Sequence, residues 1–234
     1  MAKPAWSPRA RRAKRDESAL WRAYHEFHFR CDTLRVQKLL ARVELVRMVA
    51  RVPGDIVDAG TFKGVSALQF AHALDTFRPT GRGRVLAFDT FASAMPHLKA
   101  HERGVARRLM AGYEPDAYEK LRAAIEDLGL AGRVAVIKGD IVRTLPRYLK
   151  ENPGLRIALL HLDLDAYAPT LAVLKAAWPR ITRGGMVAFD EYGQAPWGES
   201  DAADEFFKGL VGRPPRLRTL EWGESPTAYC VKEA

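Results

Sequence analysis

The chain has 234 residues, 47% of them hydrophobic, and a formal net charge of +9. That length suits one large α/β domain with a sizeable core and leaves little for a second. With no apolar run of the about 18 residues that a membrane helix needs, and no apolar stretch of a secretory signal at the N-terminus, a cytoplasmic protein without a membrane partner is expected. Cys31 and Cys230, far apart and outside any CxxC spacing, read as reduced thiols and not as a metal site. The charge excess is local. Residues 1–15 carry Lys3, Arg9, Arg11, Arg12, Lys14 and Arg15 and no acid; the other residues hold 31 basic against 28 acidic side chains, a net of +3. Residues 1–16 thus form a separable basic tail, in which Pro4 and Pro8 disfavour helix and disorder is expected. Such a tail can touch RNA, anionic lipid or an acidic subunit. A solvated tail is the favoured reading, and no nucleic-acid partner is expected.

Residues 18–30 and 34–51 read as helices. The second carries Leu39, Leu40, Val43, Val46 and Val49 as an apolar stripe that either covers the sheet edge or joins a partner. Pro53-Gly54 ends it. Strand and helix patterns then alternate. Strands are expected over 55–59, 84–88, 133–138, 157–162 and 186–189, and helices near 64–77, 115–128, 144–150, 170–178 and 201–210. The charged, irregular segment 91–112 reads as a loop or lid, and Gly184-Gly185 as a turn. Residues 157–162 are almost wholly apolar, the mark of a strand buried on both faces. The chain ends in strands over 217–222 and 227–232, around a Gly223-Glu-Ser-Pro226 turn. The alternation implies βαβ units and a doubly wound, mostly parallel α/β sheet of seven strands. The last pair has no helix between its members and must form an antiparallel hairpin.

Chemistry-bearing residues cluster at the expected strand ends. Asp58-Ala59-Gly60-Thr61-Phe62-Lys63-Gly64 joins the first strand to its helix. Gly60 permits a tight turn and close approach to a ligand, and Gly64 opens the helix. The segment lacks the G-x-G-x-x-G of dinucleotide folds. A carboxylate such as Asp58 suits the ammonium and sulfonium of S-adenosylmethionine (SAM) and would repel a pyrophosphate. Asp89 ends the second strand, where an acid accepts hydrogen bonds from ribose hydroxyls. Asp140, in Lys138-Gly139-Asp140, stands where an adenine contact is expected. Asp163 follows the fourth strand and Asp190-Glu191 the fifth. One crossover helix separates those strands, which makes them neighbours and brings the acids to one edge. Converging carboxylates repel unless a cation lies among them, and a hard divalent ion, Mg²⁺ first, suits oxygen ligands. The alternative is that one acid contacts SAM while the others cap helices or pair with arginines.

These segments stand in a fixed order with others: Val52-Pro-Gly-Asp-Ile-Val-Asp-Ala-Gly-Thr-Phe-Lys-Gly64, Ala87-Phe-Asp-Thr-Phe91, His161-Leu-Asp-Leu-Asp-Ala-Tyr167, Gly184-Gly-Met-Val-Ala-Phe-Asp-Glu-Tyr192 and Ala203-Asp-Glu-Phe206. The set, spanning about residues 52–207, resembles the macrocin O-methyltransferase family. The resemblance implies a class I, Rossmann-like SAM methyltransferase domain over 52–234, preceded by N-terminal helices at 17–51. It implies a SAM- and Mg²⁺-dependent O-methyltransferase acting on a hydroxyl of a sugar-bearing small molecule or a sugar nucleotide. Asp58, Ala59, Gly60, Thr61, Phe62, Gly64 and Ser66, with Asp89, Thr90, Gly139, Asp140 and Asp163, would hold SAM. Asp163, Asp190 and Glu191 would hold the metal. Two departures stand out. Ala166-Tyr-Ala-Pro-Thr170 lacks a Glu common in the family, and Glu191 replaces a frequent Asp, moving the third ligand oxygen by a methylene.

The hydroxyl must lose a proton. Asp163 and His101 are the catalytic candidates, with His97 behind His101, because imidazole matches neutral pH and both histidines lie in the lid. His161 is expected to be buried, and His25, His28 and His72 to be structural. Tyr113 and Tyr192 read equally as pocket or core residues. A homo-oligomer is expected. A catechol-type O-methyltransferase and an RNA-binding protein or RNA methyltransferase are the alternatives.

Overall fold

The centre of the molecule is β4 (Ile157–Leu162), in which all six residues are buried. The computed structural model describes residues 17–233, so the expectation for the basic tail falls outside the described residues. On one side of β4 lie β1 (Asp55–Ala59), β2 (Val85–Asp89) and β3 (Val134–Lys138), all parallel, with one register shift between Asp55 and Ile56 where β1 pairs with β4. On the other side β5 (Ile181–Phe189) is parallel, β7 (Ala228–Val231) pairs antiparallel to β5, and β6 (Leu217–Arg218) closes the edge. The resulting seven-stranded order is β3-β2-β1-β4-β5-β7-β6. The expected sheet and its antiparallel end are present.

Each sheet face carries helices whose apolar residues recur at helical spacing. On one face lie α2 (Thr33–Met48), α3 (Val65–Phe77) and α5 (Ala117–Asp127), where Leu45, Phe70, Leu74 and Leu121 pack over Ile56, Val85 and Leu159. On the other lie α6 (Ile141–Glu151), α7 (Tyr167–Ala177) and α8 (Glu199–Lys208), where Leu145, Leu174 and Phe207 meet Val57, Phe88, Leu160 and Phe189. Each large side chain buried this way contributes about 1.5–3 kcal/mol. Among the described residues, no helix is long and apolar enough to cross a membrane.

Several expectations need revision. The 91–112 segment holds a helix, α4 (Arg103–Met110), in which only Ala106 is buried, so it lacks the apolar repeat that would announce it. Gly184 and Gly185 lie within β5, at an irregularity where Ile157 pairs with Ile181 but Leu159 with Met186, and not in a turn before it. The strand expected over 217–222 is only two residues long. Helix α2 buries Ala41, Arg42, Leu45 and Val46, while Leu40 is exposed. Of the predicted stripe, Val46 and Val49 are buried and Val43 packs against the core, Leu39 is half-buried and Leu40 faces out, while Arg42 joins the inward face. The first helix, α1 (Glu17–Arg30), buries none of its residues.

In a doubly wound sheet a ligand site forms beyond the carboxyl ends of the strands, where the strand order reverses. Here that reversal lies between β1 and β4. Gly60 marks the contact: its φ is +92°, and a Cβ on it would stand 1.8 Å from the carbonyl oxygen of Asp163. The turn after β1 thus rests on the chain leaving β4, a closeness only glycine permits. Gly60→Ala should lower unfolding free energy by about 2–4 kcal/mol through this clash and the left-handed backbone. Urea denaturation reads the effect, and a loss within about 0.5 kcal/mol, ordinary for a surface change, would contradict it.

Candidate active site

A cleft of about 580 Å³ opens at this switch point. Its walls come from the turn after β1 (Gly60, Thr61, Phe62, Lys63), the N-terminus of α3 (Val65, Ser66) and the ends of β2 (Asp89, Thr90), β3 (Asp140, Ile141) and β4 (Asp163, Leu164, Asp165). Glu191, Pro169, and Arg35, Lys38 and Arg42 of α2 complete it with the lid residues Met95, Pro96, Leu109 and Met110. That volume lies within the range of small-molecule and cofactor sites.

Asp89 organises the part of the cleft beside the β1 turn. Its Oδ2 accepts the Phe62 N–H at 2.8 Å and its Oδ1 the Phe91 N–H at 2.7 Å. Oδ1 also accepts the Thr90 hydroxyl at 3.4 Å, which leaves a lone pair on Oδ2 for a further donor. Burial, partly offset by these two backbone donors, raises the Asp89 pKa. Asp140 caps α6 by accepting from the Val142 N–H at 3.0 Å, and its other oxygen meets His97 Nε2 at 2.8 Å. From the segment 91–112, Met95, Pro96, Leu109 and Met110 give the cleft an apolar wall.

Glu102, at the foot of α4, anchors that segment. It is fully buried; Oε1 accepts the backbone N–H groups of Tyr167 and Gly198 at 3.0 and 3.1 Å, and Oε2 that of Lys99 at 2.6 Å. One carboxylate thus ties the lid to the segments after β4 and β5. In sequence it is one more charge in a charged stretch, with nothing to mark its burial.

At the other end of the cleft the acids converge. Oxygens of Asp163, Asp165 and Glu191 lie within 4.8 Å of one another, as do ligand atoms of His161, Asp163 and Asp190. The predicted trio of Asp163, Asp190 and Glu191 is therefore split between two groups that share Asp163. Asp165, whose backbone φ is +59°, joins unforeseen. Burial, followed by the charge of Asp190, pushes Asp163 up to about 6; burial and the charge of Asp163 push Asp165 up to about 7. Glu191 is raised well above its usual value, again by burial first and then by Asp163 and Asp190. Asp190 goes the other way. Burial would raise it, but His161 and Lys38 outweigh that and hold it well below the usual carboxylate range.

The cations come from the protein itself. Lys38 Nζ lies 2.5 Å from Asp190 Oδ2 and 3.7 Å from Asp163 Oδ2, and Arg42 Nη2 lies 3.6 Å from Asp163 Oδ2. His161 Nδ1 meets Asp58 Oδ1 at 2.9 Å and its Nε2 faces Asp190 Oδ1 at 3.6 Å. Burial opposes charge on this ring, yet the two aspartates outweigh it and raise its pKa to about 9. Asp58 completes a buried chain by accepting from Ser66 Oγ at 2.7 Å.

Gly60, Thr61, Phe62, Ser66, Asp89, Thr90, Asp140, Asp163 and Glu191 all line the cleft. Asp58, Ala59, Gly64, Gly139, Asp190 and His101 are not among its lining residues. Asp58 is fully buried and turned to His161 and Ser66, so its carboxylate is already balanced inside the protein. Gly64 is required by packing, since a Cβ there would stand 2.4 Å from the Leu121 side chain. His101 is exposed in the turn before α4 and is not one of the residues that line the cleft. Tyr113 donates to the Phe91 carbonyl at 2.6 Å and Tyr192 to Asp204 at 2.7 Å, so both serve as local ties.

The residues fit the two groups the sequence implied. For SAM the fit is the cleft beside Asp89, whose Oδ2 keeps an unspent lone pair. For a divalent ion it is an all-oxygen set at hard-cation spacing, in which Glu191 Oε2 is buried without a hydrogen-bond partner.

The sequence profile of the Macrocin-O-methyltransferase (TylF) family matches residues 9–209. The chain is 33% identical over 166 residues, 68% of its length, to an 8-demethyl-8-(2,3-dimethoxy-alpha-L-rhamnosyl)-tetracenomycin-C 4'-O-methyltransferase of Streptomyces olivaceus. It is 27% identical over 154 residues, 60% of its length, to a mycinamicin III 3''-O-methyltransferase of Micromonospora griseorubida. These matches span 60% and 56% of the two relatives. The crystal structure of CalS11, a calicheamicin methyltransferase, superposes with a TM-score of 0.75 at 27% identity, covering 99% of this chain and 98% of that one. A second structure, described as the TDP-rhamnose 3'-O-methyltransferase CalS11, gives 0.69 at 30% identity over 94% and 87% of the two chains.

The buried Asp58–His161 pair yields a test of where Asp58 acts. Asp58→Ala leaves a buried imidazole without its partner and should lower stability by about 3–5 kcal/mol, as broken buried ion pairs do. Chemical denaturation measures this. A variant as stable as wild type but weak in SAM binding would return Asp58 to the cofactor.

Proposed function

We infer, because this chain belongs to the macrocin O-methyltransferase family, that it transfers a methyl group from SAM to a hydroxyl of a sugar, either on a glycosylated natural product or on a sugar nucleotide. The observation that carries this reading is the shared cleft, with Asp89 and the β1 turn at one end and Asp163, Asp165 and Glu191 at the other. The relatives named above act, by their descriptions, on a rhamnosyl-tetracenomycin, on mycinamicin III and on TDP-rhamnose; the first and last support both kinds of acceptor.

In this reading Asp89 accepts from the ribose hydroxyls, Asp140 and Ile141 border the adenine, and Gly60 to Phe62, Ser66 and Thr90 shape the rest of the SAM site. Asp163 and Glu191, with Asp165 and Asp190 beside them, hold Mg²⁺. When bound, the ion supplies Lewis acidity that eases loss of the hydroxyl proton. The chain's own residues do the remainder. Asp163 and Asp165 line the acceptor end and are the carboxylates placed to take up that proton, in place of His101. The apolar lid, pinned by Glu102, excludes water and holds oxygen, methyl carbon and sulfur in line, the kind of positioning that supplies much of such a rate enhancement. A homo-oligomer stays part of the proposal, supported by Trp21, Tyr24 and Phe29 standing exposed on α1.

Calorimetry with SAM and S-adenosylhomocysteine should show binding that Asp89→Ala weakens by roughly tenfold or more, a loss of at least about 1.4 kcal/mol. Methyl transfer from labelled SAM should proceed to rhamnosyl compounds or sugar nucleotides, stop on chelation and return with Mg²⁺. Full turnover in excess chelator would remove the ion from the mechanism. Catechol or RNA labelled in preference to every sugar tested would replace the acceptor class.

A further inference from the structure

Asp190 is sealed on both oxygens. Its side chain is 1% exposed; Oδ2 takes the Lys38 ammonium at 2.5 Å, while Oδ1 accepts from Ser225 Oγ at 2.6 Å and faces His161 at 3.6 Å. Its neighbours Asp163, Asp165 and Glu191 all line the cleft. A divalent ion that uses Asp190 must therefore meet Lys38 first.

The two cations that α2 sends to this cluster are unlike. Arg42 is fixed: its side chain is 9% exposed, and Nη1 donates to Gln69 Oε1 at 2.9 Å while Nη2 faces Asp163. Lys38, one turn earlier, lines the cleft with 35% of its side chain exposed, and its ammonium contacts Asp190 and Asp163. It ends a flexible four-carbon stem and carries a compact charge that water solvates well. Moving it into the cleft breaks no other contact described for it. Moving Arg42 would empty a buried site.

Electrostatics makes the two occupants exclusive. Without a cation, Asp163 and Asp190 repel across a poorly solvated gap. An ammonium relieves this, but an ammonium and a dication cannot share one carboxylate oxygen without repelling each other.

We propose that Lys38 is an exchangeable counter-cation of the metal site, holding Asp190 and Asp163 together in the metal-free protein and surrendering the Asp190 oxygen when a divalent ion enters. The proposal rests on the metal reading given above. The metal's apparent affinity is then set by a competition, and its arrival releases a positive charge onto the cleft wall that α2 forms. Lys38 is a positioning residue, acting on the acids that hold the ion.

Calorimetric titration of the full chain with Mg²⁺, and with Mn²⁺ as a second probe, tests this in Lys38→Met and Lys38→Gln. Lys38→Met should bind Mg²⁺ tighter than wild type by roughly tenfold, the equivalent of about 1.4 kcal/mol of ion pairing removed from the competition. Its metal-free melting temperature should fall, and Mg²⁺ should raise it by more than it raises that of wild type. Lys38→Gln, which keeps a neutral donor to Asp190, should lie between the two and carries the test if the methionine variant does not fold. Folded variants that bind Mg²⁺ no tighter than a wild type that does bind it would overturn the exchange alone. A wild type and variants that all fail to bind either ion would overturn the metal reading and the exchange with it.

Discussion

The meeting of Asp163 and Asp190 at the ends of two adjacent parallel strands is the interaction on which the rest of the site depends. β4 and β5 pair directly, so the residues that follow them emerge side by side at a buried edge. Two carboxylates in that position are unstable without positive charge nearby. The chain answers with three cationic groups, two of them from a distant part of the sequence. His161 lies beneath, on the strand itself, and Lys38 and Arg42 reach in from α2. Helix α2 meets this demand with Lys38 and Arg42 while Ala41, Leu45, Val46 and Val49 hold it in the core.

The same demand explains why the acids divide into two sets. On the Asp190 side, His161 and Lys38 depress the carboxylate. On the Glu191 side, burial and neighbouring negative charge raise Glu191, Asp165 and Glu199 together. A cluster left with excess negative charge on the face that lines a cleft is chemically suited to a hard cation. Asp58 belongs to the first set. Through His161 it links Ser66, at the head of α3, to Asp190, so the cofactor turn and the acid cluster share one buried chain.

Much of the architecture was legible in residue patterns. The apolar run at β4, the strand-end acids and the alternation of strands with helices led directly to the sheet and to the edge where the cleft opens. What patterns could not convey was direction. Asp58 ends β1 as expected, but whether its side chain meets the cleft or the core is decided by His161, 103 residues away. Lys38 finds Asp190 across 152 residues, which no local spacing announces. Helix α4 and Glu102 were hidden for the opposite reason: a charged segment with few apolar residues reads as solvated, although its carboxylate is buried on three backbone donors. His101 drew notice as an imidazole in a lid, yet the fold turns it to solvent. Nothing in the sequence marks Asp165 beside Asp163: β4 ends at Leu162, so strand alternation does not fix its direction, and its left-handed backbone (φ +59°) is set by the fold.

The central claim is that the acid cluster closing the cofactor cleft is a divalent-metal site. Anomalous diffraction from crystals grown with Mn²⁺ and S-adenosylhomocysteine tests it most directly. The account predicts a strong manganese peak between the carboxylates of Asp163 and Glu191, with the ligand's sulfur in the cleft beside it. Clear density for S-adenosylhomocysteine with no manganese at those carboxylates, and Lys38 still seated on Asp190, would contradict it.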